Sequence, residues 1–223
     1  DVEHRVFTFG AGNDDAELGD GQFAGDDIFR LTSVASSELV DFSPPTDSLT
    51  INMGDGDDSL LVSIADLGNA FTGSVSLNAG AGQDSVDASA LTVAVSVSGG
   101  AGDDTLFGGS SDDTLDGGDG TDTIAQTANA NFTLTNAQLV STATGTDALT
   151  GVELAQLTGG AGDNILDAIG FSGSTTLSGG DGADSLFGGE SPDVLYGGDG
   201  NDSLRGNGGS DSLFGEAGND RMY

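Results

Sequence analysis

The chain has 223 residues, 37 of them acidic and only 4 basic, which gives a formal net charge of −33. The basic residues are all arginines (Arg5, Arg30, Arg205 and Arg221), so the positive footprint that nucleic acid or an anionic membrane surface requires is missing. Cysteine is absent and no apolar run approaches membrane-spanning length, which excludes disulfides, thiolate metal sites and insertion into a bilayer by a helix.

A charge this one-sided usually belongs to a disordered chain. Here 35% of the residues are apolar and they recur at regular spacing, which argues for a fold in which something neutralises the aspartates. The start, Asp1-Val2-Glu3, is acidic where a signal peptide would be basic, and the last residue completes a repeat. The chain therefore reads as a segment of a longer polypeptide.

Residues 1–50 are the least regular and are expected to form an irregular β region with degenerate repeats. Val6-Phe7-Thr8-Phe9 alternates as a strand does and leads into a degenerate turn, Gly10-Ala11-Gly12-Asn13-Asp14-Asp15. Ile28-Phe29-Arg30-Leu31, after Gly25-Asp26-Asp27, is a second strand. Ser43-Pro44-Pro45-Thr46 is a loop, because two prolines do not fit a central strand. The single histidine, His4, reads as an edge residue.

From 51 to 125 the repeats become clear. Leu49-Thr50-Ile51 leads into MGDGDDSLL (53–61), and Val75-Ser76-Leu77 leads into AGAGQDSVD (79–87). The step from Gly80 to Gly100 is 20 residues, one long coil with an ordinary turn around Asp87-Ala88-Ser89 on its far side. Residues 99–125 are three tandem nonapeptides, GGAGDDTLF, GGSSDDTLD and GGDGTDTIA, the second with Ser111 where a fourth-position glycine is expected.

Residues 126–158 lose the motif and read as motif-free coils or an insert. Phe132-Thr133-Leu134-Thr135 and Ala137-Gln138-Leu139-Val140 look like strands, and 149–157 like a strand pair or a short helix. The gap from Gly118 to Gly160 is 42 residues, about the length of two long coils, so the solenoid is expected to continue here without a cation, a small insert being the alternative. GGAGDNILD (159–167) then restores the motif with Asn164 in the aspartate position, which offers an oxygen without a charge.

Residues 179–223 are five consecutive nonapeptides: GGDGADSLF, GGESPDVLY, GGDGNDSLR, GNGGSDSLF and GEAGNDRMY. Each has Gly first, Asp sixth and a large apolar residue eighth (Leu186, Leu195, Leu204, Leu213, Met222). Glycine lets the backbone turn through positive φ, so the first half of a unit is a tight turn with its carbonyls directed to one side. The polar–apolar–variable end is a very short half-buried strand. Turn plus strand, repeated, stacks into a parallel β-solenoid. Carboxylate and carbonyl oxygens without nitrogen or sulfur suit a hard cation, and calcium tolerates an irregular oxygen shell better than magnesium.

The candidate ligands are thus the sixth-position Asp104, Asp113 and Asp122, then Asp184, Asp193, Asp202, Asp211 and Asp220, with Asn164 and the partial motifs of Asp14, Asp58 and Asp84. The turn glycines beside them are Gly99, Gly100, Gly102, Gly108, Gly117, Gly118 and Gly120, then Gly179, Gly180, Gly182, Gly188, Gly197, Gly198, Gly200, Gly206 and Gly215. The ninth-position residues face outward. Tyr196 and Phe214 are expected to stack on one face, and Phe187, Arg205 and Tyr223 on the other.

These units resemble the GGxGxDxUx nonapeptide of the hemolysin-type calcium-binding (RTX) family. The resemblance implies an all-β fold, a parallel β-solenoid or RTX β-roll with calcium ions bound between stacked turns. It also implies that two nonapeptides make one coil, so each unit pairs with the next but one: 179–187 with 197–205, 188–196 with 206–214, and 197–205 with 215–223. The expected organisation is 1–50 irregular β, 51–125 calcium solenoid, 126–158 motif-free coils or insert, and 159–223 calcium-binding β-roll.

Coils stack about 4.8 Å apart, where two carboxylates repel by about 0.9 kcal/mol even at the dielectric of water. Summed over the stack, this repulsion is expected to hold the calcium-free chain open, so that it folds on calcium. No His-Glu-x-x-His, Gly-x-Ser-x-Gly or Walker motif is present, and no enzyme activity is expected of these residues. The resemblance implies a secreted or cell-surface bacterial protein, exported unfolded by a type I route. It would serve as a rigid stalk or a self-assembling element with other copies head-to-tail. The alternative is an ancillary module of an extracellular enzyme or toxin.

Overall fold

The computed structural model describes residues 4–20, 29–33, 38–42, 47–63 and 73–223. The expected loop 43–46, the turn 25–27 and Ile28 lie outside the described residues. Every regular element described is a strand, and the chain divides into two compact units, Asp1–Asp122 and Thr123–Tyr223.

The first unit contains β1 (His4–Thr8), β2 (Asp15–Asp20), β3 (Phe29–Ser33), β4 (Glu38–Phe42), β5 (Ser48–Asp55), β6 (Ser59–Val62), β7 (Ser74–Ala81), β8 (Ser85–Asp87), β9 (Val95–Ala101), β10 (Thr105–Phe107) and β11 (Thr114–Asp119). One sheet runs β1-β5-β7-β9-β11, parallel throughout. The other runs β10-β8-β6-β2 in parallel and continues antiparallel into β3 and β4. From β5 onward the chain alternates between the sheets, so each coil adds one strand to both. Register places like on like: Ile51, Leu77, Val97 and Leu115 are successive partners in one sheet, and Leu60, Val86 and Leu106 in the other. All seven are at most 2% exposed. A period-two strand offers one inward side chain per short run, and stacking those side chains builds a narrow continuous core.

The second unit contains β12 (Thr123–Thr127), β13 (Phe132–Thr135), β14 (Gln138–Ser141), β15 (Gly145–Thr150), β16 (Leu154–Ala161), β17 (Ile165–Gly170), β18 (Ser174–Asp181), β19 (Ser185–Phe187), β20 (Val194–Gly200), β21 (Ser203–Arg205), β22 (Ser212–Gly218) and β23 (Arg221–Met222). One sheet runs β12-β16-β18-β20-β22 and the other β13-β17-β19-β21-β23, all parallel. Leu177, Leu195, Leu186 and Leu204 are fully buried. Leu213 is half-buried and Met222 is 53% exposed, so the eighth-position rule for the core holds through Leu204 and weakens in the last coil. The rings of Tyr196 and Phe214 stack with centroids 5.0 Å apart and planes within 12°.

The motif-free stretch differs from two further coils. β13, β14 and β15 form an antiparallel meander, with β14 paired to both neighbours. The connections between them are far too short for a parallel crossover, so the strands must reverse. Hydroxyls close both corners: Thr135 Oγ1 accepts from the N–H groups of Ala137 and Gln138, and Ser141 Oγ from those of Ala143 and Thr144. Residues 149–150 end β15 and 154–157 begin β16, with no helix between them.

Candidate metal centre

The tight turns between strands carry the site. At their second and fourth positions the backbone takes positive φ: 117° and 131° at Gly100 and Gly102, 105° and 128° at Gly180 and Gly182. The same positions allow close stacking. A Cβ on Gly100 would collide with the carbonyl oxygen of Gly80, one on Gly102 with that of Gly82, and one on Gly198 with that of Gly180. The second- and fourth-position carbonyls therefore reach along the stack to the next turn.

Other oxygens converge from the far side. The Asp104 carboxylate and the Gly117 carbonyl lie over the Cα of Gly99, where a Cβ would meet both. Asp184 and Gly197 stand likewise over Gly179, and Asp202 and Gly215 over Gly197. Over Gly159 the pair is Gly179 O and Asn164 Oδ1, at 2.5 and 2.6 Å from the position of a Cβ. At Gly99, Gly159, Gly179 and Gly197 the slot between neighbouring turns is thus lined by main-chain carbonyls and one side-chain oxygen. Among the described residues no three His, Cys, Asp or Glu side chains come together as a metal cluster. A cation here would take most of its ligands from the backbone.

The sixth-position carboxylates form a ladder. Oδ1 of Asp58, Asp84, Asp104 and Asp122 accepts from the N–H of Asp14, Asp58, Asp84 and Asp104 at 2.7, 2.7, 2.8 and 2.8 Å. In the second unit Asp184, Asp202 and Asp220 accept from Asn164, Asp184 and Asp202 at 2.7, 2.8 and 3.0 Å. Oδ1 is committed in this way. Oδ2 of Asp58, Asp84, Asp104, Asp184 and Asp202, and Oδ1 of Asn164, are buried with no hydrogen-bond partner. Leaving an ionised oxygen buried and unpaired costs several kcal/mol, so the carboxylate atoms among these call for a positive charge. Burial pushes the carboxyls of Asp58, Asp84, Asp104 and Asp184 up from the ordinary 3.8; the backbone N–H on Oδ1 pulls them down, and the neighbouring ladder aspartates push them up again. The donor set is all oxygen, anionic in part and irregular, and it fits a hard cation such as calcium.

The remaining predicted residues stand differently. Asp113 and Asp193 lie in turns of the opposite flank of their units, and both of their oxygens accept backbone N–H groups. Asp211 Oδ1 accepts from the N–H of Asp193 at 3.0 Å. At Gly108, Gly206 and Gly215 the nearest atoms to a Cβ belong to the carboxylates of their own turns, Asp113, Asp211 and Asp220. At Gly188 they are Asp193 Oδ2 and the Gly206 carbonyl, and at Gly118 and Gly120 the carbonyls of Gly100 and Gly102.

Sequence reasoning missed a second ladder. Fifth-position oxygens of Asn13, Asp57, Asp103, Asp163 and Asn201 accept from the fifth-position N–H of the next turn, at 2.9 to 3.1 Å. The recurrence of Asp or Asn at that position was its signal. Asn129 was also missed. Its Oδ1 accepts from Asn164 Nδ2 at 3.2 Å, so a side chain faces the turn 159–164 from the side on which other turns stack.

Parallel strands joined by glycine turns with inward aspartates define a cation-binding β-roll. A family model, the RTX calcium-binding nonapeptide repeat, matches residues 96–124, 169–204 and 189–222. The chain carries RTX calcium-binding nonapeptide repeats. A search of curated proteins found no match.

Proposed function

We propose that this chain is a calcium-dependent folding module, non-catalytic in itself, of a secreted or cell-surface protein, where it acts as a stalk. One observation carries the reading: the buried, partnerless carboxylate oxygens of Asp104, Asp184 and Asp202, each beside a carbonyl of a neighbouring turn. Asp58, Asp84 and Asp104, with the carbonyls of 54–56, 80–82 and 100–102, would hold calcium in the first unit. Asn164, Asp184 and Asp202, with the carbonyls of 160–162, 180–182 and 198–200, would hold it in the second. Asn164 brings no charge, so its slot should be the weaker. Bound calcium supplies two positive charges to an oxygen-lined slot. Without it the ladder carboxylates repel one another and their Oδ2 atoms favour water, so the open chain prevails where calcium is scarce. With it the turns close, and the eighth-position leucines come together. The fold then belongs to the calcium-rich side of a membrane, after export.

Sedimentation velocity of the chain in chelator and then in millimolar calcium tests this. Compaction to a folded monomer is expected. Compaction followed by growth into large species would replace the stalk by self-assembly with other copies. An unchanged sedimentation coefficient would remove the calcium reading altogether.

A further inference from the structure

We propose that each unit binds calcium along one flank only, and that the turns 108–113 of the first unit and 188–193 of the second, on the other flank, are closed by hydrogen bonds and take no ion. This rests on the calcium reading above and divides its candidate ligands into two kinds.

The carboxylates differ first. Asp113 accepts from the N–H of Val95 on Oδ1 at 2.9 Å and from the N–H of Gly109 on Oδ2 at 2.6 Å. Asp193 accepts from the N–H and hydroxyl of Thr175 on Oδ1 at 2.7 and 2.9 Å, and from the N–H of Gly189 on Oδ2 at 2.7 Å. Both side chains are buried, as the ladder aspartates are, yet neither leaves an oxygen without a donor. A carboxylate that accepts main-chain N–H groups on both oxygens has its hydrogen-bonding demand met without a cation.

The carbonyls differ as well. Neither turn has the positive φ at its second and fourth positions that aims carbonyls along the stack. Ser111 and Ser191 occupy the fourth position, and each hydroxyl donates 2.7 Å to a carbonyl of the coil before, that of Thr92 or Ser172. On the following side, Asn207 Nδ2 donates to the Gly188 carbonyl at 2.7 Å and the N–H of Gly208 to the Gly189 carbonyl at 2.9 Å. Oxygens of the kind that face a slot elsewhere are thus taken by protein donors. The cause lies in the coils beneath, whose segments 88–95 and 168–175 are ordinary turns without the glycine pair. The family match spans both closed turns, so the motif alone does not separate them from the open ones. Closure on this flank needs no cation and fixes the register of the coil beneath.

Native mass spectrometry of the full chain titrated with calcium provides the test. Asp104→Asn and Asp202→Asn should lose bound ions or weaken binding about tenfold, because a charged ligand is lost. Asp113→Asn and Asp193→Asn should keep the ion count and affinity of the parent while lowering its thermal stability in calcium. Anomalous diffraction from crystals of the unaltered chain grown with calcium avoids any folding defect of the variants. Peaks are expected beside Asp104 and Asp202 and none beside Asp113 or Asp193. A peak beside Asp113 or Asp193, or an ion lost from either variant, would overturn the one-flank assignment and leave calcium binding standing. A parent chain that binds no ion would overturn both.

Discussion

Asp104 illustrates the conflict that each ladder aspartate carries. Oδ1 is held by the N–H of Asp84, which favours the anion, while Oδ2 is buried without a donor, which disfavours it. Burial wins, and the carboxyls of Asp58, Asp84, Asp104, Asp113 and Asp184 all titrate above the ordinary 3.8. The folded, calcium-free chain therefore binds more protons than the unfolded chain at pH values between 3.8 and the raised values. Its stability falls as pH rises through the folded pKa values and recovers as pH is lowered toward 3.8. Circular dichroism in chelator should accordingly show β-structure growing as the solution is acidified from neutrality. A signal that stays flat or declines would contradict the desolvation argument. In calcium the sense reverses: protons compete for the same oxygens, and calcium affinity should weaken as pH falls.

At the scale of the turn, a glycine serves two ends at Gly198. Its φ of 105° is one that L side chains rarely adopt, and a Cβ there would strike the Gly180 carbonyl. Gly198→Ala should therefore cost about 2 kcal/mol or more in the calcium-loaded fold, read as a lowered Tm, and should weaken the slot between 179–184 and 197–202 because the carbonyl it displaces faces that slot. The neighbouring repeats offer a natural contrast. Asn207 and Glu216 take φ of 71° and 67° at the same position, nearer the left-handed region that a non-glycine residue tolerates. A Tm for Gly198→Ala equal to the parent would show that the turn relaxes as those two do. The meander β13–β15 belongs to this scale too. It adds antiparallel strands to the otherwise parallel β13-β17-β19-β21-β23 sheet, because its two corners are closed by hydroxyls over short connections.

For the molecule as a whole, the net charge of −33 is the term that calcium must offset. Salt at about 1 M shortens the Debye length to about 3 Å, less than the coil spacing, so it screens the exposed fifth-position carboxylates. It does not fill the slots over Gly99 or Gly179. Sodium chloride in chelator should therefore restore part of the β-signal at most, whereas millimolar calcium restores all of it. Full refolding by salt alone would reduce the calcium effect to screening. Much of this behaviour was legible in the sequence, because period nine, sixth-position aspartate and eighth-position leucine are each local patterns that fix which way a residue faces. The nonapeptides of 99–125 and 179–223 thereby determined the parallel roll and the leucine core through Leu204. What the sequence did not determine depends on the coil stacked next door. Asp113 and Asp104 occupy the same place in their repeats. Only the stacking decided that Asp113 meets Val95 and Gly109 N–H groups while Asp104 Oδ2 meets nothing, since the ordinary turn beneath one and the glycine turn beside the other are distant in sequence. The meander and the Asn129 contact at the turn 159–164 were decided in the same way, by pairings with no periodic signal.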